Sequence, residues 1–384
     1  MALIRDKIFS TIWLSHFAVD ILNGQRSVLF VYLAVALGLS NAELGLFSAA
    51  YVFIGALLQP VFGYIADRGN FAWTIAGGTL WIGVFFTIGL IVPGFPGLVF
   101  FIIASLGSAA FHPAGTMQAT LVGRARIAGR ETTSSSYFFL AGQLGIFAGP
   151  LLGGFLLNAS GQRGILWLTA FTMLVGIFGL SRLSGRDVHW EAQPKAESTE
   201  SQAPPRRVLW IAFALLATSQ SWAKQNVLIY LPKYLSDLGR TPEIYGMLSA
   251  LFIGFAALGM LSGGIFADRY GKRITAATML GLAVLPMALI PLYAATPWIY
   301  LVIPVAGYFA GSTHSIIVVL AQRYIPGGMA RSSGLILGYI FSTSSIGVLL
   351  SGVLADAINL QAVFWLSAAL VGLAAIMALS LDRN

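Results

Sequence analysis

The chain has 384 residues, of which 57% are hydrophobic and only 9% are charged, and its formal net charge is +8. Soluble domains carry about 25% charged residues, so this composition excludes an ordinary water-soluble protein and favours helices in a lipid bilayer. The absence of cysteine excludes disulfides, thiolate metal sites and thiol catalysis.

Apolar stretches separated by polar or Gly/Pro breaks predict twelve membrane-spanning helices, since about 20 apolar residues cross a bilayer. We number these spans 1 to 12 in chain order: 8–37, 42–65, 71–92, 97–122, 133–158, 163–182, 207–236, 242–266, 273–294, 297–322, 331–356 and 361–381.

An internal repeat divides the spans into two sets of six. A shift of 201 residues aligns Gly63 and Asp67 with Gly264 and Asp268. A repeat of this length indicates a duplicated domain. We therefore predict an all-α membrane protein with two pseudo-symmetric six-helix bundles, residues 1–183 and 207–384, joined by a polar cytoplasmic linker at 184–206.

The distribution of positive charge predicts the orientation. Most of the 22 Lys and Arg residues fall at the chain ends or in loops that follow even-numbered spans. Positively charged loops stay in the cytoplasm, so we expect both termini there, in a bacterial inner membrane. Because the basic residues are spread over many loops, the net charge requires no nucleic-acid partner. We expect a monomer.

Span 1 carries several polar residues at bilayer depth. His16, Asp20 and Asn23 follow at intervals of four and three residues, which places them on one stripe of a helix. Because an ionisable group inside a membrane must face a partner or a wet cavity, we expect Asp20, with His16, to bind a coupling proton. Asn23 and Arg26 are candidate substrate residues. A permanent ion pair between Asp20 and Arg26 is the alternative.

The loops after spans 2 and 8 share a second motif. Asp67 and Arg68 recur as Asp268 and Arg269, and Arg273 follows in the second copy. At a helix end, such a carboxylate can cap a neighbouring helix or pair with an arginine. We therefore predict a gating role, with solvated loop charges as the alternative.

Spans 4 and 5 add a histidine and a glycine face. Gly145, Gly149 and Gly153 lie on one face of span 5, so another helix can approach closely, and Pro150 removes one backbone hydrogen bond. Packing and a role in alternating access are both open. His112 in span 4 is a candidate for substrate or proton handling, and a hydrogen-bonded packing role is the alternative.

Spans 7 and 10 carry the corresponding residues of the second half. Lys224 lies near the repeat equivalent of Arg26, and two cations facing one cavity would bind a phosphate, phosphonate or carboxylate. Gln220 and His314 are further substrate candidates. Alternatively, Arg26 or Lys224 pairs with Asp20 or caps broken backbone.

These motifs resemble those of the major facilitator superfamily of secondary transporters. The segment from Gly264 to Arg273 is similar to its loop motif, and the glycines around Pro150 are similar to a motif of its exporters. Within the superfamily, the chain most resembles fosmidomycin-resistance-type efflux proteins. The residues that carry this likeness are Ser15-His16-Phe17 with Asp20, Gly38-Leu39-Ser40, Leu58-Gln59-Pro60 and Phe111-His112-Pro113. The resemblance implies that span 5 lies beside the cavity, with Tyr137 and Gln143 along the substrate path.

The sequence thus predicts a secondary transporter that moves a small anionic or zwitterionic solute by alternating access, as proton-coupled efflux. An uptake symporter, an organic-anion exchanger and a lipid flippase are the alternatives. We expect no enzymatic activity and no cofactor, because no nucleophile–base pair, metal-ligand spacing or phosphate loop is recognisable. The expected partners are the bilayer, protons and a small-molecule substrate.

Overall fold

The computed structural model describes residues 5–68, 72–126, 131–184, 207–325 and 329–381. In these ranges the regular structure is helical, which confirms the predicted all-α class. The described α-helices are α1 (Lys7–Leu37), α2 (Asn41–Arg68), α3 (Gly78–Ile91), α4 (Phe95–Arg126), α5 (Glu131–Ser160), α6 (Leu166–Leu183), α7 (Arg207–Asp237), α8 (Pro242–Tyr270), α9 (Lys272–Tyr293), α10 (Ile299–Gly311), α11 (His314–Tyr324), α12 (Met329–Ala357) and α13 (Leu360–Leu379).

Most of these helices are long and apolar enough to cross a membrane. Ten described stretches qualify, and one of them, Ser134–Leu183, contains most of α5 and all of α6. The segment that forms α7 is not among the ten, and it carries Lys224 and several uncharged polar residues that lower its hydropathy. The twelve predicted spans are each represented by helix.

The tenth predicted span is divided into two helices. α10 ends at Gly311 and α11 begins at His314, with Ser312 and Thr313 between them. Glycine has low helix propensity, and serine and threonine compete for backbone hydrogen bonds, so this short sequence favours a break. Residues 185–206, which make up nearly all of the predicted linker, lie outside the described residues.

The ends of α1 are fixed by local signals. The carboxylate of Asp6 accepts hydrogen bonds from the backbone N–H groups of Ile8 and Phe9, each at 2.9 Å. Gly38 follows the last residue with φ of 65°, a left-handed conformation that favours glycine. These caps satisfy backbone groups that the helix itself leaves unpaired.

The described residues group into two compact units. Unit 1 takes its residues from Met1–Gly38, Ala50–Trp190 and Thr241–Ala250. Unit 2 takes its residues from Leu39–Ala49, Glu191–Arg240 and Leu251–Asn384.

Within unit 1, α1 is the most buried span and packs closely against α5. The glycine face of α5 makes this approach possible. A Cβ added to Gly145 would lie 2.6 Å from the carbonyl oxygen of Phe17, and one added to Gly149 would lie 2.5 Å from that of Ile21. Side chains at these positions would collide with backbone, which cannot move aside without shifting α1.

We expect Gly149→Ala to destabilise the protein by about 1–3 kcal/mol, the usual range for overpacking. Thermal or denaturant unfolding of the purified protein would measure the change. Gly281→Ala in α9 is the matched control, since an added Cβ there meets nothing within 4 Å. Because alanine is the better helix former, the control should be neutral or stabilising. Equal effects in the two variants would contradict the close packing.

Candidate functional site

Two histidines and one carboxylate meet inside unit 1. Nε2 of His16 lies 3.1 Å from Oδ2 of Asp20, and Nε2 of His112 lies 3.3 Å from Oδ1 of the same residue. Asp20 is only 4% exposed. His16 and Asp20 come from neighbouring turns of α1, whereas His112 arrives from α4, so each carboxylate oxygen faces one imidazole ring.

Backbone carbonyls fix the protonation of the outer ring nitrogens. Nδ1 of His16 lies 2.7 Å from the carbonyl oxygen of Phe138, and Nδ1 of His112 lies 2.8 Å from that of Ser108. Since a carbonyl oxygen only accepts, both Nδ1 atoms carry hydrogen and donate. Each Nε2–carboxylate contact then needs one proton between nitrogen and oxygen.

The side of the cluster around His16 is apolar and tightly packed. The ring of His16 stacks on Phe138 with centroids 4.0 Å apart, and Phe111 lies at 5.5 Å. On the α5 side, a Cβ added to Gly142 would collide with Nε2 of His16 and with Oδ2 of Asp20. The Asp20 side chain is 6% exposed, and a buried position of this kind strengthens its electrostatic contacts.

Asn23 connects this cluster to α2. Its Nδ2 donates to Oδ1 of Asp20 at 2.8 Å and to Oγ of Ser108 at 3.0 Å. Its Oδ1 accepts a hydrogen bond from the hydroxyl of Tyr51 at 2.7 Å. The predicted stripe of His16, Asp20 and Asn23 is therefore one hydrogen-bonded network that also includes residues of α2 and α4.

Arg26 joins the network through an aromatic ring. Its guanidinium carbon lies 4.4 Å from the ring centroid of Tyr51 and 5.9 Å from that of Phe30, distances suited to cation–π attraction. Although Arg26 lies on a different side of α1 from Asp20, the Tyr51 and Asn23 side chains link the two. Arg26 is 8% exposed.

The predicted residues of the second half lie in unit 2. Gln220 is buried and donates from Nε2 to the carbonyl oxygen of Ala310 at 2.9 Å, so it ties α7 to α10. Lys224 and His314 are half-buried and lie within electrostatic range of each other. His314 is the first residue of α11, directly after the break in the tenth span.

Two predicted path residues are exposed on α5. Tyr137 is 42% exposed and Gln143 is also exposed, while their neighbours Phe138 and Gly142 pack inward against His16. One face of α5 therefore supports the buried cluster and another presents Tyr137 and Gln143. Gly153 continues the inward face, where it meets the side chain of Gln25, and Pro150 is buried within the helix.

The two loop motifs differ in how much of them is described. Helix α2 ends at Arg68, but the side chains of Asp67 and Arg68 lie outside the described residues. The second copy forms a tight connection. Asp268 and Arg269 are exposed near the end of α8, and the guanidinium of Arg269 lies 5.3 Å from the ring centroid of Tyr270.

In the second loop, Gly271 has φ of 87° and lets the chain turn directly into α9. Arg273 follows in the first turn of α9 and is half-buried. No side chain caps the beginning of α9, so the capping interpretation of Asp268 is not realised at this described helix end.

The buried cluster also has the composition of a metal site. Its three donor atoms lie within 4.8 Å of one another, and imidazole and carboxylate are ligands that several divalent metals accept. The sequence reveals no such spacing because His112 is far from His16 and Asp20 in the chain. Both Nε2–carboxylate contacts are also near hydrogen-bond length, so the same atoms suit shared hydrogens.

Sequence reasoning missed Tyr51, and it missed the supporting contacts of Ser108 and Phe138. The available signals were weak. Tyr51 is one tyrosine in the middle of an apolar span, and Ser108 stands one helical turn before His112. Their roles depend on which helices become neighbours, and this is decided by tertiary packing.

The helical fold agrees with a comparison to known protein families. The model of the Major Facilitator Superfamily matches residues 9–348 and, in a second match, residues 209–384. The chain belongs to the Major Facilitator Superfamily. The predicted family resemblance is thereby confirmed, and membership identifies a transporter and not an enzyme.

Curated relatives within the superfamily include efflux proteins. The chain is 26% identical to the fosmidomycin resistance protein of Escherichia coli over 93% of this chain and 88% of that protein. It is 29% identical to the multidrug efflux pump Tap of Mycolicibacterium fortuitum over 68% of this chain and 67% of that protein. Both relatives are bacterial, in agreement with an integral protein of the bacterial inner membrane.

Solved structures share the superfamily fold. The nucleoside transporter NupG has a TM-score of 0.75 and 15% identity, covering 97% of this chain and 98% of that chain. A bacterial homologue of the lysosomal transporter Spinster, in an inward-facing conformation, has a TM-score of 0.73 and 14% identity, covering 97% and 94%. At these identities the likeness concerns the fold alone.

We expect Asp20→Asn and His112→Gln to be strongly coupled in a double-mutant cycle. Each substitution alone leaves the other buried group without its partner, so the double variant should lose less stability than the sum, by about 0.5–3 kcal/mol. Unfolding of the single and double variants in detergent measures this difference. The cycle of Asp20→Asn with His314→Gln, a residue of unit 2, should be additive. Additivity in both cycles would disprove the pairing.

Proposed function

We propose that this superfamily member exports a small anionic or zwitterionic organic solute in exchange for protons, by alternating access between its two halves. The observation that carries the proposal is the buried His16–Asp20–His112 cluster. It offers a proton site at bilayer depth, where an uncompensated charge would be costly. The likeness of the chain to bacterial efflux proteins favours export as the direction of transport.

Proton binding at the cluster has a simple chemical basis. The two Nδ1 atoms are held by carbonyl oxygens and keep their hydrogens, so exchange is confined to the Nε2 and carboxylate side. Loss of a shared proton leaves a nitrogen lone pair facing a carboxylate oxygen. The repulsion between these two atoms favours a rearrangement of the cluster. In a transporter, such a rearrangement can stabilise one conformation relative to another.

The substrate class rests on the two cations. Arg26 is buried beside Tyr51, and Lys224 is half-buried in α7. Arginine binds carboxylates and phosphate groups in bidentate fashion, and lysine adds a compact positive charge. We propose that both bind an anionic group of the solute, with Asn23, Gln220, Tyr137, Gln143 and His314 as further contacts.

The remaining predicted residues serve the movement in this proposal. Asp67 and Arg68 act together with Asp268, Arg269 and Arg273 at the cytoplasmic helix ends, where both termini of the chain also lie. We also assign the glycine face of α5 to this movement, because it packs closely against α1, the helix that carries His16 and Asp20. An uptake symporter and an organic-anion exchanger remain alternative transport modes.

We expect Asp20→Asn to abolish proton-driven accumulation while leaving substrate counterflow. The amide preserves shape but cannot take part in proton exchange, whereas counterflow needs no net proton movement. Proteoliposomes under an imposed pH gradient test both activities. Fosmidomycin is the first substrate to test, because the chain is similar to the fosmidomycin resistance protein of Escherichia coli. A thermal-shift screen of phosphorylated metabolites, carboxylates and cationic drugs would identify further substrates to test.

The direction of flux in this assay separates the transport modes. Export driven by inward proton flow supports the proposal, whereas uptake with protons or proton-independent exchange would replace it by one of the alternatives. Proton-driven accumulation that survives in Asp20→Asn would move the coupling site elsewhere.

We expect Arg26→Gln and Lys224→Gln each to weaken binding of an anionic substrate by ~2 kcal/mol, or about 30-fold, as for a lost charged hydrogen bond. Calorimetry or thermal-shift titration measures the affinity. Lys233→Gln is the matched control, because Nζ of Lys233 pairs with the carboxylate of Asp237 one helical turn away. Unchanged affinity in both Arg26→Gln and Lys224→Gln would eliminate these two cations as the anion-binding residues.

A further inference from the structure

A continuous chain of contacts links the proposed proton site to the proposed substrate cation. Arg26 lies over the ring of Tyr51, the Tyr51 hydroxyl donates to Asn23, and Asn23 donates to Oδ1 of Asp20. We propose that Tyr51 and Asn23 form a relay that carries the protonation state of Asp20 to Arg26. This inference rests on the proposed function and names the residues that couple its two sites.

The first step concerns the orientation of the Asn23 amide. An ionised Asp20 accepts hydrogen bonds only, so Asn23 must present its NH₂ group to Oδ1 of Asp20. The amide oxygen then points to Tyr51, whose hydroxyl has to donate. This is the arrangement in the structure, with distances of 2.8 Å and 2.7 Å for the two hydrogen bonds.

When Nε2 of His112 keeps its hydrogen and donates to Oδ1 of Asp20, an additional proton on Oδ1 has Asn23 as its acceptor and reverses the requirement. The carboxyl group now donates towards Asn23, so the amide must turn and present its oxygen to Asp20. Its NH₂ group then faces Tyr51, whose hydroxyl changes from donor to acceptor. The terminal torsion of asparagine is broad and roughly two-fold, and the hydroxyl of Ser108 can accept or donate, so neighbouring groups fit both orientations.

The last step connects the hydroxyl to the guanidinium. Donation of a hydrogen bond makes the phenol oxygen more negative and enriches the ring in electrons, whereas acceptance has the opposite effect. Because a cation is attracted by the negative face of the ring, the hold of Tyr51 on Arg26 is stronger while Asp20 is ionised. Protonation of Asp20 therefore loosens Arg26 without direct contact between them.

The charged and titratable groups around this relay come from three helices. In the described part of unit 1, His16 and Arg26 lie on α1 with Asp20, Tyr51 lies on α2, and His112 lies on α4. Helix α5 faces the cluster with glycine, and α6 contributes the Thr172 hydroxyl, which donates to the carbonyl of Ala18. Asp20 is thus the group whose protonation changes the orientation of the Asn23 amide.

Infrared difference spectroscopy of the protein in liposomes tests the relay without any substrate. Acid-minus-neutral spectra of ¹³C-tyrosine-labelled protein report the C=O stretch of a protonated carboxyl group and the C–O stretch of tyrosine, which differs between donor and acceptor hydroxyls. The chain has 13 tyrosines, so each band is assigned by its loss in a variant. We expect a carboxyl band that Asp20→Asn removes and a tyrosine band that Tyr51→Phe removes.

The variants separate a relay from a structural role. Tyr51→Phe keeps the ring beneath Arg26 and should retain the Asp20 carboxyl band. Asn23→Ala interrupts the relay in the middle, so it should also retain the carboxyl band but lose the tyrosine band. Tyr230→Phe is the control, because its buried hydroxyl likewise donates a 2.7 Å hydrogen bond, to the Val348 carbonyl in unit 2, and both bands should persist.

Each contrary result has a distinct meaning. A Tyr51 band that survives in Asp20→Asn or Asn23→Ala would overturn the relay, because the hydroxyl would respond to something else. An Asp20 carboxyl band with no Tyr51 band in the natural sequence would also overturn it, while leaving the proposed function intact. Absence of the Asp20 band across the accessible pH range would remove the proton site and the relay together.

Discussion

The burial of one carboxylate is the constraint on which this site depends. Asp20 lies in the middle of α1 among apolar helices, where a charge without partners would be strongly unfavourable. Two imidazole rings and one amide meet its oxygens, and the outer nitrogens of both rings are held by backbone carbonyls. The carboxylate oxygens of Asp20 and the outer nitrogens of both rings therefore all have polar partners. A partly satisfied network at this depth would cost more stability than an apolar core.

The burial of these polar side chains also determines how helices pack around α1. His16 and Asp20 need space on the side that faces α5, and Gly142 supplies it by having no side chain. The glycines that follow at Gly145 and Gly149 let the helix backbones approach, so apolar contact surrounds the polar cluster. Close packing on the α5 side fixes the ring of His16 and makes Asp20 part of the helix interface, whereas the side chain of His112 is 26% exposed.

The superfamily fold by itself says little about chemistry, since one fold supports many substrates. The chemistry of this chain depends on where its charged residues lie within the fold. Asp20 and Arg26 lie on one helix but are connected through Tyr51, a side chain from its neighbour. The contact between Asp20 and Arg26 is therefore indirect and runs through Asn23 and Tyr51.

The sequence by itself determined the membrane class, the helical fold, the family and the polar stripe of α1, because hydropathy, the repeat and the spacing of four and three residues are local properties. It also identified the glycine face of α5. Only the tertiary structure decided that His112 shares Asp20 with His16, that Tyr51 bridges Asn23 and Arg26, and that the tenth span is divided. These features depend on which helices are neighbours and on how far the helices are shifted along their axes relative to each other. Residues such as His112 and Asp20, far apart in sequence, leave no periodic signal of their contact.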